Sequence, residues 1–164
     1  MKIQPLTQTA HHTAELVDLI NYCQNIEAKL AITMAEQDDI FQIDAYYRRR
    51  GGEFWGASAD ERLVGCIALL PLNDETAVLK KFFTYPEFRG QPHRLGQALF
   101  TTFLNAAQAQ GFKRIVLDTP ENEHRSHHFY ERQGFVRISR EQLGGQYAFP
   151  DRDSRYYALK LVQA

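Results

Sequence analysis

Residues 78–103 read VLKKFFTYPEFRGQPHRLGQALFTTF, and no other stretch restricts the fold as strongly. Val78 to Thr84 is short and rich in apolar, aromatic and β-branched residues, which suits a buried strand. Pro86, Gly90 and Pro92 then punctuate a polar turn that neither strand nor helix crosses easily. From Leu95 the apolar residues recur at a helical period, at Leu95, Leu99, Phe103 and Leu104, with Ala98, Ala106 and Ala107 between them. Strand, Gly/Pro/Arg loop and helix follow in that order. The unpaired N–H groups of the helix start point into the loop, and the helix dipole favours an anion there. Arg89, His93 and Arg94 add positive charge at the same spot. These residues predict a site for phosphate or pyrophosphate. Two common phosphate loops are excluded, because neither Gly-x4-Gly-Lys-Ser/Thr nor GxGxxG occurs.

The rest of the chain is read around that stretch. Its 164 residues predict one domain over 1–164 with a real core. A net charge of −1 gives no bulk electrostatic case for nucleic acid or a membrane surface. Cys23 and Cys66 sit far apart among apolar neighbours and are expected as buried free thiols. No apolar run approaches a membrane span, and MKIQPLTQTAHH lacks a signal-peptide core, so the expected compartment is the cytoplasm.

Lys2 to Leu6 reads as an edge strand and His12 to Ile26 as an amphipathic helix, capped by Thr13 or Thr9. Glu36 to Arg50 reads as a second helix, with Ile40, Ile43 and Tyr47 on one face and Gly51-Gly52 as its stop. Three strands should form an antiparallel meander: 53–58, 62–71 and 75–84, turning at Asp60-Glu61 and Asn73-Asp74. Gly111 closes the helix after the loop. Arg114 to Asp118 is a further strand, in a parallel or splayed pairing reached by a right-handed crossover. A helix over 122–133, ended by Gly134, and strands over 135–139 and 155–161 complete the chain. The fold class is α/β (α+β): a mixed, mostly antiparallel central sheet of about six to seven strands with helices on both faces.

Three segments carry a family resemblance. LKKFFTYPEFRG, the loop with its helix start, and His128-Phe129-Tyr130-Glu131-Arg132-Gln133-Gly134-Phe135 resemble, in order and separation, the GNAT (Gcn5-related) N-acetyltransferases. That family has Gln/Arg-x-x-Gly-x-Gly/Ala between strand and helix, and Phe-Tyr-x-x-x-Gly-Phe at a later helix end. Two loop registers are open. Gln91-Pro-His-Arg94-Leu-Gly96 puts Arg94 where the first glycine belongs; His93-Arg-Leu-Gly96-Gln-Ala98 puts His93 at the Gln/Arg position. The first is preferred, because Leu95-Gly96-Gln-Ala98-Leu99 then overlays the usual helix start.

The resemblance implies an N-acetyltransferase that moves acetyl from acetyl-CoA, its co-substrate, to a small-molecule primary amine by direct attack, without a metal. Gln91, Pro92, His93, Arg94, Leu95, Gly96 and Gln97 would hold the pyrophosphate, with Arg89 or Arg94 assisting by charge. Phe82, Phe83 and Thr84 would pair with the pantetheine arm as an added strand. Asn122 and Ser126 would touch the same arm, although the strict register places the family's Asn on Glu123 and its Ala on Ser126. Tyr130 would be the general acid toward the leaving thiolate. At the position where many members carry a basic Glu this chain has Val78, and Glu75 has the opposite strand parity. A water relay, a base from another element or an amine arriving neutral must then serve. Asp44, Tyr46, Tyr47, Asp151 and Asp153 are the alternatives, each read first as an exposed polar residue.

The loop from Leu143 to Ser154 would wall the acceptor pocket, close a hairpin, or make a homodimer contact through Tyr147 and Phe149. His124 and His128 are four apart on a helix, a spacing that suits a metal, but with neither HExxH nor a nearby Cys a solvated helix face is expected. Two other functions fit the sequence: acetylation of a protein or aminoacyl-tRNA, and a non-catalytic acyl-CoA-binding module. No membrane partner is expected, and nucleic acid is not favoured.

Overall fold

The computed structural model describes residues 1–144 and 153–162. Its strands are β1 (Lys2–Pro5), β2 (Glu53–Ala59), β3 (Arg62–Pro71), β4 (Thr76–Thr84), β5 (Arg114–Pro120), β6 (Val136–Ile138) and β7 (Ser154–Lys160). They form one sheet in the order β1-β2-β3-β4-β5-β7-β6. β1/β2, β2/β3, β5/β7 and β6/β7 pair antiparallel, and β4/β5 pair parallel. This is the mixed, mostly antiparallel sheet expected. The chain divides into two compact units: Met1–Leu70 with Lys80–Asn105, and Pro71–Leu79 with Ala106–Ala164.

In the first unit, α1 (Ala10–Asn21) begins at Thr9, whose hydroxyl accepts from the His12 N–H at 3.1 Å. A π-helical segment, Tyr22–Glu27, follows and buries Cys23 and Gln24. The expected second helix over 36–50 is broken into a 3-10 segment (Met34–Phe41), α2 (Ile43–Tyr46) and a 3-10 turn (Arg48–Arg50). Side chains cause the breaks. Gln37 leaves helical backbone (φ −135°) and turns its amide inward onto Gln24. Gln42 sits at φ −139°, and the Ile43 N–H is taken by Gln8 Oε1 at 2.8 Å. The apolar face survives, with Ile40, Ile43 and Tyr47 buried and Gly51 closing the segment at φ +89°.

The first unit's strands are covered on both faces. Trp55 and its cross-strand partner Ile67 share a face, where the Trp55 ring lies 6.4 Å from Phe103 of α3 (Leu95–Ala109). A Cβ at Gly65 would come within 2.9 Å of Leu95 and 3.0 Å of Leu99, so the bare glycine seats the start of α3. On the other face Phe54 meets Tyr47 edge-on at 5.2 Å. Asp60 and Glu61 turn the β2–β3 hairpin at φ +49° and +64°.

In the second unit, β4 pairs with β5 only over Thr76–Val78 against Arg114–Val116, whereas β7 pairs with all seven residues of β5. Asn73 Oδ1 accepts from the N–H groups of Glu75 and Thr76 and fixes the turn into β4. α4 spans His124–Arg132, shorter than the expected 122–133. His124 and His128 are exposed, as expected for a solvated face, whereas His127 between them turns inward and is 3% exposed. Tyr147, Phe149 and Asp151 lie outside the described residues. Among the described residues, no helix is long and apolar enough to cross a membrane.

Candidate functional site

The β4–α3 turn is built in the first unit. After Thr84 the Tyr85 N–H donates to Val64 O at 3.0 Å, and Pro86–Phe88 forms a 3-10 turn. Gly90 (φ +64°) and Arg94 (φ +47°) then take left-handed backbone, and Gln91, Pro92, His93 and Arg94 between and beyond them are exposed. The Arg94 N–H donates to Gly90 O at 2.6 Å, and Arg94 O accepts from Ala98 at 3.1 Å, opening the helix. The Ala98 bond opens the ladder, so the first turn of α3 starts at Leu95 and Gly96, directly after the exposed turn. This is the segment where the sequence predicts an anion.

The register puzzle has a physical form here. In the preferred register Arg94 stands at the position of the family's first glycine, and it occupies left-handed backbone, which glycine takes without strain and other L-residues at about 1–2 kcal/mol. The Arg94→Gly variant is expected to melt within a few degrees of the parent, as relieved strain offsets lost unfolded-state order. It should bind acetyl-CoA several-fold more weakly at low salt, with the deficit shrinking as salt rises. Calorimetric titration at two salt concentrations checks this; equal affinity would remove Arg94 from the anion site.

Arg89 is used differently from its expected role. Its guanidinium donates to Glu27 at 2.7 and 2.9 Å, to Thr84 Oγ1 at 3.0 Å and to Thr84 O at 2.5 Å. At most one of its five N–H groups is left for a phosphate. Arg89 thus ties the π-helical segment to the end of β4. Cys23 Sγ donates to the same Thr84 carbonyl at 3.4 Å.

Upstream, Phe82 and Phe83 are half-buried and Thr84 is buried. Lys81 just before them takes φ +53°. A left-handed residue in a strand disturbs its alternation. Both lysines reach the α2 side: Lys80 Nζ stands 5.5 Å from the Tyr46 ring, and Lys81 Nζ donates to Gln37 Oε1 at 3.0 Å and lies 3.6 Å from Asp39 Oδ1. Tyr47 donates to Asp39 Oδ2 at 2.5 Å, Gln24 and Gln37 exchange amide hydrogen bonds at 2.9 and 2.7 Å, and Cys66 Sγ donates to Lys81 O at 3.0 Å. Burial holds the Lys81 ammonium below its ordinary pKa, partly offset by Asp39. Burial, then Asp39, raises the Tyr47 phenol. Sequence reasoning missed this cluster. As a candidate base Tyr47 is expected to be an exposed polar residue, whereas it is fully buried. Asp44 keeps the bland reading, exposed and paired with Arg48 at 2.7 Å.

The second unit holds Tyr130, 7% exposed, with rings of Phe135 and Tyr157 at 5.5 and 6.1 Å. Burial raises its phenol, with Asp118 and Glu123 adding to the shift, so the hydroxyl carries its proton at neutral pH. Asn122 is exposed and Ser126 half-buried, just before and within the first turn of α4. His127 Nε2 bonds Pro120 O at 2.9 Å, and its Nδ1 is buried without a hydrogen-bond partner. Val78 is 2% exposed and apolar, and Glu75 pairs with Lys113 at 2.8 Å. Asp153 is exposed, and its carbonyl accepts from the Glu121 N–H at 3.2 Å.

Comparison with known proteins agrees with this local architecture. A crystal structure described as an acetyltransferase from Streptococcus agalactiae superposes with a TM-score of 0.95 at 61% identity, over 98% of both chains. A GNAT-family acetyltransferase from Staphylococcus aureus superposes with a TM-score of 0.89 at 27% identity, over 98% of this chain and 100% of that one. Human N-acetyltransferase 8 is 32% identical over 94 residues, which is 56% of this chain and 41% of that protein. The chain thus spans under half the length of this curated relative. The model of the acetyltransferase (GNAT) family matches residues 20–135, which include the strand–loop–helix, Tyr130 and Phe135. On that match, the chain belongs to the GNAT acetyltransferase family.

Proposed function

We propose that this chain transfers an acetyl group from acetyl-CoA to the primary amine of a small molecule, by direct attack of the amine on the thioester. The observation that carries the reading is the exposed Gln91–Arg94 turn, which delivers the first-turn amides of a fifteen-residue helix to an anion. A pyrophosphate is an anion that suits a helix start with an adjacent guanidinium. In this reading Phe82, Phe83 and Thr84 offer backbone groups to the pantetheine arm, and Tyr130 gives a proton to the departing sulfur. The two buried free thiols support a reducing, cytoplasmic setting.

A non-catalytic acyl-CoA-binding module is the second reading, favoured by apolar, buried Val78 at the expected base position. Acetyl-CoA at about 100 times its dissociation constant should stabilise the fold by about 2.7 kcal/mol in either case. A melting curve without any shift refutes both readings. Release of CoA thiol in the presence of polyamines, amino acids or aminoglycosides distinguishes them, because the module binds without turnover.

A further inference from the structure

A transferase of this kind needs a group to remove the acceptor's proton, and Val78 offers none. The buried cluster on β4 does. If a pyrophosphate sits at the Gln91–Gln97 turn and the pantetheine arm runs beside Thr84, Phe83 and Phe82 at about 3.3 Å per residue, the thioester end comes to Lys81. Lys81 is the strained residue of that strand, and strain of this kind is retained where surrounding contacts enforce it. Those contacts are specific. Gln37 presents its oxygen to Nζ, and its own orientation is fixed by the reciprocal bonds with Gln24. Asp39 stands 3.6 Å from Nζ, with its second oxygen held by Tyr47.

We infer that Lys81 Nζ is the general base that takes the proton of the acceptor ammonium, with Gln37, Asp39 and Tyr47 as positioning residues. The inference rests on the acetyltransferase reading above and deepens it. Asp39 suits the role of base less well: it is buried, one oxygen already accepts from Tyr47, and the other faces the lysine. The charged and titratable groups around Nζ are Asp39 from the 3-10 segment, Lys80 beside it on β4 and the Cys66 thiol on β3. Burial and Lys80 favour the neutral amine, while Asp39 stabilises the ammonium formed when the proton arrives. The step balances. The acceptor ammonium gives one proton to Lys81 and becomes a neutral amine. Its nitrogen bonds the acetyl carbon and the carbon–sulfur bond breaks. Tyr130 gives its proton to the departing sulfur and regains one from the nitrogen, and Lys81 releases the first to water.

The test uses the whole chain, acetyl-CoA and two amines: benzylamine, which is charged at pH 7, and trifluoroethylamine, which is neutral. Lys81→Arg keeps a charge that does not deprotonate; Lys81→Met removes it. Both should lower benzylamine turnover at pH 7 by about 100-fold or more. Turnover should recover as pH rises, trifluoroethylamine turnover should change by less than about 3-fold, and acetyl-CoA affinity should hold. Equal losses on the two amines overturn the assignment. Lysine labelled at Cε gives a readout without an acceptor. The signal that disappears in Lys81→Arg should titrate below the ordinary 10.5, and a midpoint at or above it overturns the assignment. If the wild-type chain fails to bind acetyl-CoA, the underlying reading falls and takes this one with it. Binding with an ordinary Lys81 titration overturns Lys81 alone.

Discussion

Tyr130→Phe is expected to lower acetyl transfer by about 100-fold or more while leaving acetyl-CoA affinity within about 3-fold of wild type. The ring is what the fold uses. It packs against Phe135 and Tyr157, and phenylalanine keeps that packing, so the melting temperature should move by only a few degrees. In the proposed reaction the hydroxyl is the proton donor. Burial keeps it protonated through neutral pH, which a donor to a thiolate requires. The variant should therefore lose turnover rather than binding. An intact rate in Tyr130→Phe removes Tyr130 from the reaction and leaves it a packing residue. Loss of acetyl-CoA binding in the same variant points instead to a collapsed α4.

What the sequence made legible follows from which signals are local. The β4–α3 turn was readable because proline and glycine punctuate it and the helical period resumes at Leu95, where α3 begins. The Asp60-Glu61 and Asn73 turns were readable because polar residues interrupt the apolar strand runs there. The segment over 36–50 was misread because its apolar period is genuine. Ile40, Ile43 and Tyr47 face the core whether the backbone is one helix or three short pieces. The breaks come from Gln8 capping Ile43 and Gln37 pairing with Gln24, contacts 35 and 13 residues apart in sequence. Arg89 read as a phosphate ligand because its partner Glu27 lies 62 residues away. Lys81 was hidden by strand alternation itself. Adjacent lysines should face opposite sides, and the left-handed residue that turns both toward α2 has no signature in a Lys-Lys pair.

Asp39→Ala is expected to destabilise the chain by about 3–5 kcal/mol, roughly 10 °C in melting temperature for a chain of this length. Two losses add. The fully buried Tyr47 hydroxyl is left without its acceptor, and Lys81 without its counter-charge. At 12% and 9% exposure, neither side of the ion pair is solvated well enough for water to replace the contact. The deficit should depend on pH in a fixed sense. Lys81 has a lowered pKa in the folded chain, so between that value and 10.5 the unfolded chain binds more protons and stability rises with pH. Removing Asp39 lowers the folded value further. The Asp39→Ala deficit should then be largest at neutral pH and shrink toward pH 10. Adding Lys81→Met should recover part of the loss, because a buried pair replaced as a unit leaves no charge unmatched, whereas Tyr47→Phe in the same background should recover the share due to the hydroxyl. Denaturant melts of the single and combined variants at neutral and alkaline pH measure this. A deficit under about 1 kcal/mol, or one that grows with pH, contradicts the view that Asp39 stabilises the protonated form of Lys81.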